Sequence, residues 1–363
     1  MKKILIKAYA QLNLGDDLFI KMLCERYKDT EFYLFATPEY ENLKGIETNN
    51  LKILYNDTFA KKILFRLGRK FGVSNILEDL KAKELDGVVN IGGSIFIEND
   101  FSEEDFKIRK RNLEFGKNYF ILGANFGPYR SENFKNMYHE FFKECKDVCF
   151  REKYSYELFK DLENIRFGKD IVFSLKQDVE VKGDYVLFSI ILPSARQGFS
   201  GIESEYFNRL KTLTLDIIKS GKKVKFMSFC QGEKDEEAIK RLLNMIPNEQ
   251  HKYISKYFYR GDMNEALEIL NRADSVVATR FHAMILGFVL KKTVFPIVYS
   301  KKMTNVLEDL EFKQNYASLE NLQGLSFEKF KENKALPTDI LIKAAQDGEQ
   351  HFLKLDNFLN EQG

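Results

Sequence analysis

The stretch SVVATRFHAMILGFVLKKTVFPIVYSKK, residues 275–302, alternates strand-like and helix-like runs. It predicts a strand at 274–279 followed by a helix, and a second strand at 293–299 followed by another helix. Arg280 and His282 lie at the first strand-to-helix junction, and Lys302 lies at the second. Cationic or proton-carrying side chains at such turns indicate a site for a small anion, because helix N-termini also favour negative charge.

The same alternation extends over most of the chain. Strand-like runs occur at 3–9, 31–36, 51–55, 86–91, 118–125, 147–151, 184–191 and 222–229. Helical patterns lie between most of them, and the periodicity weakens at 168–184 before it restarts. This pattern predicts an α/β fold of two Rossmann-like lobes, each with a parallel sheet covered by helices, facing across a cleft. We expect the lobes at 1–175 and 176–335, and a helical segment at 336–363 that packs on the first lobe.

Composition narrows the class of protein. The 363 residues are 44% hydrophobic and 30% charged, as in ordinary globular proteins. Basic residues number 56 and acidic residues 54, so no overall positive charge indicates a nucleic-acid partner. Lys7 interrupts the first apolar run, and the run at 185–192 is far shorter than the ~20 residues that cross a bilayer. We therefore predict a cytoplasmic protein.

The cysteines do not predict a disulfide framework, because only four are scattered over the chain. Cys145 and Cys149 are four residues apart on a predicted helix, with His139 nearby. A convincing fourth ligand is missing, so we expect buried thiols and no metal ion.

Two turns after predicted strands of the first lobe carry glycines and polar residues. LNLGDD, residues 12–17, contains Asn13, Gly15 and Asp16. The polar side chains can face the cleft, or Asp16 can simply cap the following helix. The spacing is not that of a dinucleotide-binding fingerprint. The second turn, NIGGSIF at residues 90–96, contains Gly92, Gly93 and Ser94. The two glycines can let backbone amides approach a ligand closely, or they can simply form a tight turn.

Three cations complete the predicted site. Arg151 follows the strand at 147–151, with Ser155 one helical turn later, although a surface ion pair is the alternative. Arg280 can hold a carboxylate or phosphate bidentately, and His282 can exchange a proton near neutral pH. An anion between the two helix starts would also meet Lys302. The alternatives are a structural histidine and a solvated basic turn.

Taken in order, these motifs resemble the polysaccharide pyruvyl transferase family. They are N-x-G-D (13–16), the GGS turn (92–94), R-x-x-x-S (151–155), R-x-H-A (280–283) and Y-x-x-K (299–302). A third glycine is common in the family where Ser94 stands, and the family's glutamine-containing loop is ANFGPY (124–129) here. The resemblance implies a two-lobed fold similar to GT-B glycosyltransferases. It also implies transfer of pyruvate from phosphoenolpyruvate to a sugar diol as a ketal, without a redox cofactor.

The chemistry of phosphoenolpyruvate, a carboxylate and a phosphate on one small donor, leads to a hypothesis about the roles of the predicted site residues. His282 would be the general acid or base, Arg151 and Arg280 would orient phosphoenolpyruvate, and Lys302 would help phosphate depart. Asp16 would orient or deprotonate an acceptor hydroxyl, and Asn13, Gly15 and residues 92–94 would line the acceptor side. The alternatives are a GT-B glycosyltransferase that uses a nucleotide sugar and a non-catalytic anion-binding protein.

A further segment suggests contact with a membrane. AKKILFRLGRKFG, residues 60–72, would separate a basic face from an apolar face if it were helical. Such a helix can lie at the inner membrane face, where the acceptor would be a lipid-linked oligosaccharide of bacterial surface polysaccharide synthesis, such as capsule or exopolysaccharide. A core-packed helix with a solvated basic face is the alternative.

Overall fold

The structure is a computed structural model, and it describes residues 1–55, 76–100, 102–116, 118–176, 181, 183–196 and 198–361. The segment at 60–72, predicted to contact a membrane, lies outside these residues, so that contact stays a prediction. Within the described ranges, none of the helices combines the length and the apolar character needed to cross a bilayer.

The first lobe is built on a sheet of parallel strands in the order β3-β2-β1-β4-β5-β6-β7. Its strands are β1 (Lys3–Lys7), β2 (Glu31–Ala36), β3 (Leu51–Tyr55), β4 (Gly87–Ile91), β5 (Tyr119–Ala124), β6 (Asp147–Phe150) and β7 (Ile165–Phe167). Its α-helices are α1 (Leu14–Arg26), α2 (Ile76–Glu84), α3 (Ser102–Gly116), α4 (Glu132–Glu144) and α5 (Lys153–Glu157). Strands β4, β5 and β6 are buried along their whole length, as expected for a sheet covered on both faces.

The second lobe repeats this plan with the strand order β10-β9-β8-β11-β12-β13, again with parallel pairs. Its strands are β8 (Tyr185–Ser189), β9 (Lys223–Ser228), β10 (Ile254–Phe258), β11 (Ala273–Ala278), β12 (Thr293–Val298) and β13 (Ala317–Ser318). Its helices are α6 (Glu203–Lys219), α7 (Asp235–Met245), α8 (Met263–Asn271), α9 (Phe281–Val289), α10 (Lys301–Asp309) and α11 (Phe327–Glu332). Two further helices, α12 (Thr338–Glu349) and α13 (Leu353–Asn360), follow.

The predicted fold class is confirmed. Each predicted strand corresponds to an observed one, with ends that differ by at most a few residues. The sequence did not predict β7, β10 and β13, of which β7 and β13 have only three and two residues. In each sheet the direction of the strand order changes between two neighbouring central strands. These are β1 and β4 in the first lobe and β8 and β11 in the second. Ligands of doubly wound sheets bind at the carboxyl ends of strands near such points.

An apolar core and main-chain hydrogen bonds join the lobes. Leu18 and Phe19 of α1 belong to one buried cluster with Met284 and Ile285 of α9. Leu14 N donates to the carbonyl oxygen of Phe229 at 3.1 Å, and Lys44 N donates to that of Gly261 at 2.8 Å. The sequence positions of these pairs lie far apart, so the contacts fix how the two sheets face each other.

The C-terminal helices contact the first lobe through polar and aromatic groups. Arg26 donates to both carboxylate oxygens of Asp356, at 2.9 and 2.8 Å, and to Glu349 at 2.5 Å. Lys2 Nζ donates to the carbonyl oxygen of Phe358 at 2.6 Å, and the rings of Phe120 and Phe358 lie 5.2 Å apart. The division of the chain at residues 175 and 335 stays a prediction, although β7 and β8 lie on either side of the first boundary.

His351 fastens this segment to the first sheet. Its Nε2 donates to the carbonyl oxygen of Lys169 at 2.7 Å, and its Nδ1 accepts from Gly123 N at 3.1 Å. This pairing requires the neutral ring with its proton on Nε2. Burial lowers the pKa of His351 to about 3, because a charged imidazole would be desolvated and its second N–H would face a donor.

We expect His351→Ala to lower the free energy of unfolding by about 2–4 kcal/mol, because two buried polar groups lose their partner and a cavity is left. Urea unfolding at pH 7.5 measures this. Between pH 6.5 and 3, His351 binds a proton in the unfolded state but not in the native state. The contribution of neutral His351 to the stability of the wild type is therefore lost as the pH falls through that range.

His139→Ala is the control, since His139 forms a surface pair with Asp161. We expect it to cost less than about 1 kcal/mol. Equal losses in the two variants would contradict the role of His351.

Candidate active site

A cavity of about 1240 Å³ lies between the lobes, at the carboxyl ends of both sheets. All of the predicted site residues line it except Gly15 and Gly92, which lie directly behind the lining. The cavity therefore brings together residues that the sequence places on five separate turns. A second cavity, of about 810 Å³, is lined by Lys21, Glu25 and Glu349 among others and contains none of the predicted site residues.

The turn after β1 places Asp16 in the cavity. Asn13 caps helix α1, because its side-chain oxygen accepts from Gly15 N at 3.3 Å. Asp16 is therefore not the helix cap, the alternative considered above, because its position falls inside the first turn. Its carboxylate lies 3.9 Å from where a β-carbon of Gly92 would be.

Two glycines allow side chains to pack directly on the backbone. A β-carbon at residue 15 would overlap the imidazole of His282, which comes from the other lobe. A β-carbon at Gly93 would lie 2.5 Å from Cζ of Arg151, so the guanidinium lies flat on this turn. Neither position tolerates a side chain without displacing a predicted site residue.

Arg151 is buried and paired. Its Nη1 donates to Asp170 at 2.9 Å and its Nη2 donates to Asn125 at 2.7 Å, while Phe281 lies 4.2 Å from its guanidinium carbon. Its Nε has no hydrogen-bond partner among the described residues. Ser155, which completes the R-x-x-x-S motif, is buried and accepts from Phe126 N at 2.8 Å, so its contact is structural.

Lys302 connects the lobes at the cavity. Its Nζ donates to the hydroxyl of Ser94 at 3.1 Å and lies 5.3 Å from the centre of the Phe281 ring. Burial lowers the pKa of Lys302, although the neighbouring Tyr299 opposes this effect. The turn after β12 thus brings a cation to the GGS turn of the first lobe.

Arg280 differs from the prediction in its surroundings. Its Nε donates to Asp235 at 3.0 Å, its Nη2 pairs with the same carboxylate, and its Nη1 pairs with Glu233. Glu233 also pairs with Arg196. The guanidinium lines the cavity, but its charge is already compensated by two carboxylates. Its role as a direct anion ligand stays a prediction.

His282 is neutral at physiological pH. Burial, followed by the positive charges of Arg151 and Lys302, holds the pKa of His282 well below 6.5. The rings of Phe19 and Phe281 meet it edge-on at 5.3 and 5.1 Å. Its Nε2 lies 4.0 Å from Asp170, and the described residues give this atom no hydrogen bond.

The carboxyl of Asp16 titrates near neutral pH. Burial raises the pKa of Asp16 to about 7, although the charges of Arg151 and Lys302 oppose this effect. Tyr299 shows the opposite balance: burial would raise its pKa, but the charges of Lys302, Arg196 and Arg280 lower it. The field in this part of the cavity is therefore positive.

The family model for polysaccharide pyruvyl transferases matches residues 13–301. The chain belongs to the polysaccharide pyruvyl transferase family. The match covers every strand except β1 and β13, and it contains every predicted site residue except Lys302, which directly follows it. As a member of the family, the chain is a transferase that acts on polysaccharide.

Solved structures share the fold of this pyruvyl transferase family member at low identity. HepE from Anabaena, solved in complex with UDP-glucose, is 12% identical over 99% of both chains with a TM-score of 0.58. Trehalose-6-phosphate synthase OtsA is 9% identical over 100% of both chains with a TM-score of 0.53. A glycosyltransferase from Rickettsia africae is 11% identical over 98% of this chain and 94% of that chain, with a TM-score of 0.51. The two lobes therefore form a GT-B-like fold.

Sequence reasoning missed the acidic partners of the site. Asp170 follows the unpredicted strand β7, so nothing in the pattern marked it as a strand end. Asp235 begins helix α7 and accepts from Phe229 N and Cys230 N, at 2.9 and 3.1 Å. An acidic residue after the predicted strand at 222–229 was the available signal. Glu152, next to Arg151, was also missed.

The prediction that Cys145 and Cys149 share a helix is wrong, because Cys149 lies in strand β6 and Cys145 caps the end of α4. The cysteines and His139 do not form a cluster in the described part of the pyruvyl transferase chain. Within that part, no group of three or more histidine, cysteine or acidic side chains is arranged to hold a metal ion. Cys145 Sγ donates to the carbonyl oxygen of Phe141 at 3.4 Å, and all four cysteines are buried free thiols.

We expect Gly15→Ala to displace the His282 ring and to abolish transferase activity, because the new methyl group would occupy the position of the imidazole. Imidazole resonances in a ¹H–¹⁵N spectrum monitor the ring directly, since the chain has only four histidines. Gly201→Ala is the matched control, because a β-carbon at residue 201 meets nothing within 4 Å. An unchanged His282 resonance in Gly15→Ala would refute the contact.

Proposed function

We propose that this protein transfers pyruvate from phosphoenolpyruvate to two hydroxyl groups of a sugar acceptor, forms a ketal and releases phosphate. One observation carries the proposal. Arg151, Lys302 and the neutral imidazole of His282 converge on one end of the cavity between the lobes. A donor with both a carboxylate and a phosphate needs several fixed cations, and a proton carrier beside them suits its enol double bond.

The contacts support different roles for the three cations. Lys302 donates one N–H to Ser94, and its ammonium group has further N–H groups that can donate to a phosphate oxygen. Arg151 lies over the GGS turn and adds an unpartnered Nε–H. Arg280 is already paired with Asp235 and Glu233. Its proposed role is to hold the loop before α7 and to add positive potential, and not to contact the donor directly. We therefore assign direct donor contact to Arg151 and Lys302.

The proposed reaction begins with a proton transfer from His282 to the methylene carbon of phosphoenolpyruvate. The donor's negative charge would raise the pKa of His282, so that the imidazole becomes protonated when the donor binds. Protonation leaves a cationic centre at C2, which one acceptor hydroxyl attacks. Phosphate then departs with the electrons of the C–O bond, and the second hydroxyl closes the ketal. The two acceptor hydroxyls release two protons. One replaces the proton that His282 gave to the methylene carbon, and the other is taken up by phosphate.

Asp16 is the proposed base for the acceptor. Its carboxyl has a pKa of about 7, so it can take up and return a proton at neutral pH. It lines the same cavity, beside the glycine turn at 92–93. The acceptor would be a sugar of a surface polysaccharide or of a lipid-linked oligosaccharide.

We expect His282→Gln to lower phosphate release from phosphoenolpyruvate by ~100- to 10,000-fold, which is the usual contribution of a general acid. The assay offers galactosides, glucosides and N-acetylmannosaminides as acceptors, with the mass gain of a pyruvate ketal as a second readout. His139→Gln, at the surface, is the control and should react like the wild type.

Wild-type turnover by folded His282→Gln would remove the proposed role. Thermal stabilisation by UDP-glucose, and none by phosphoenolpyruvate, would overturn the reaction and favour a glycosyltransferase.

We also expect phosphoenolpyruvate binding to take up protons at pH 7–7.5. An anion beside Asp16 and His282 raises the pKa of both groups, so affinity increases as the pH falls through about 7. Calorimetry in buffers of different ionisation enthalpy measures the protons taken up. His282→Gln should remove most of this uptake and Asp16→Asn a smaller part, whereas uptake equal to that of the wild type in both variants would contradict the linkage.

A further inference from the structure

The residues predicted to bind the acceptor lie against the donor cations. Gly15 contacts His282, Gly93 contacts Arg151, and Ser94 accepts from Lys302. The same cavity also has a first-lobe wall that includes residues 126–129, Glu152 and Tyr154.

Glu152 has a free acceptor atom in this wall. The residue is 2% exposed, and its Oε1 accepts from the hydroxyl of Ser155 at 2.7 Å. Its Oε2 has no hydrogen-bond partner among the described residues. Arg151, the preceding residue, directs its Nη atoms to Asp170 and Asn125 instead. A buried carboxylate oxygen without a partner is costly, which favours a ligand that donates a hydrogen bond to it.

Two tyrosines stand beside this carboxylate at the cavity rim. Tyr154 is 47% exposed, and its hydroxyl is hydrogen-bonded to that of Tyr129. The Tyr129 ring lies 5.3 Å from the ring of Phe126, which anchors it in the wall. Exposed aromatic rings with polar tips suit a ligand that has an apolar face and hydroxyl groups at its edge. A pyranose ring has this character.

We propose that Glu152, Tyr129 and Tyr154 form the acceptor subsite, in which a pyranose lies on the tyrosines and donates a hydroxyl hydrogen bond to Oε2 of Glu152. The inference rests on the proposed function and names the place of its acceptor. An ionised carboxylate accepts hydrogen bonds and repels anions. The subsite therefore selects hydroxyl-bearing neutral sugars and keeps phosphoenolpyruvate at the cationic end.

The test is glycoside binding by saturation-transfer NMR, with methyl galactoside, methyl glucoside and methyl N-acetylmannosaminide as probes. We expect at least one of them to bind the wild type and to bind Glu152→Gln at least tenfold more weakly, since the amide loses the charge-assisted bond but keeps the shape. Tyr154→Ala should weaken the same glycoside, and it leaves the Ser155 contact intact. Tyr253→Ala, a change of an exposed tyrosine outside the cavity, is the matched control.

Phosphoenolpyruvate affinity, measured by calorimetry, should stay within twofold in Tyr154→Ala and Tyr253→Ala and should not fall in Glu152→Gln. Undiminished glycoside binding by Glu152→Gln, or a wild type that binds phosphoenolpyruvate but none of the three glycosides, would overturn the subsite. A wild type that binds a glycoside at Glu152 but not phosphoenolpyruvate would instead refute the proposed function and leave the subsite standing.

Discussion

The two lobes come into contact where residue 15 has no side chain. Gly15 lies in the first turn of α1, His282 lies in the first turn of α9, and the imidazole fills the space that a β-carbon would need. This approach brings the positive ends of two helices to one point. The ring becomes desolvated between Phe19 and Phe281, which is why it is neutral. The position of the cations relative to His282 follows from the same contact.

Buried ion pairs set the rest of the geometry. Arg151 with Asp170, and Arg280 with Asp235, are each almost fully withdrawn from water. Such pairs add little net stability, because desolvation offsets their attraction, but removing one partner leaves a buried charge. Their contribution here is orientation: each carboxylate also accepts main-chain N–H groups, so each arginine is tied to a particular loop. Lys302, held by a neutral hydroxyl, is the least compensated of the three cations.

The sequence predicted the fold for a physical reason, and eight of the ten predicted site residues line the cavity for the same reason. Parallel strands buried on both faces produce apolar runs that are easy to recognise, and their ends carry the turns that hold ligands. The periodicity failed at β7, β10 and β13, which are short or lie at an edge of their sheet. Asp170, Asp235 and Glu233 could not be assigned to the cations because a sequence contains no distances between the loops that follow different strands of one sheet. The surroundings of Arg280 show the consequence: a residue correctly expected at the cleft proved to be paired.

The cavity has two ends of opposite character, and this arrangement depends on the approach of the lobes. The cationic end is assembled from both lobes, since Lys302 reaches Ser94 and His282 reaches Gly15. Glu152 and its tyrosines belong to the first lobe alone. Separating the lobes would therefore dismantle the donor end and leave the carboxylate wall intact. Lys44 and Asp17 keep the lobes connected away from this end, through the backbone of Gly261 and the hydroxyl of Tyr259. The cationic end therefore depends on the packing of α1 against α9, whereas the carboxylate wall depends on the first lobe alone.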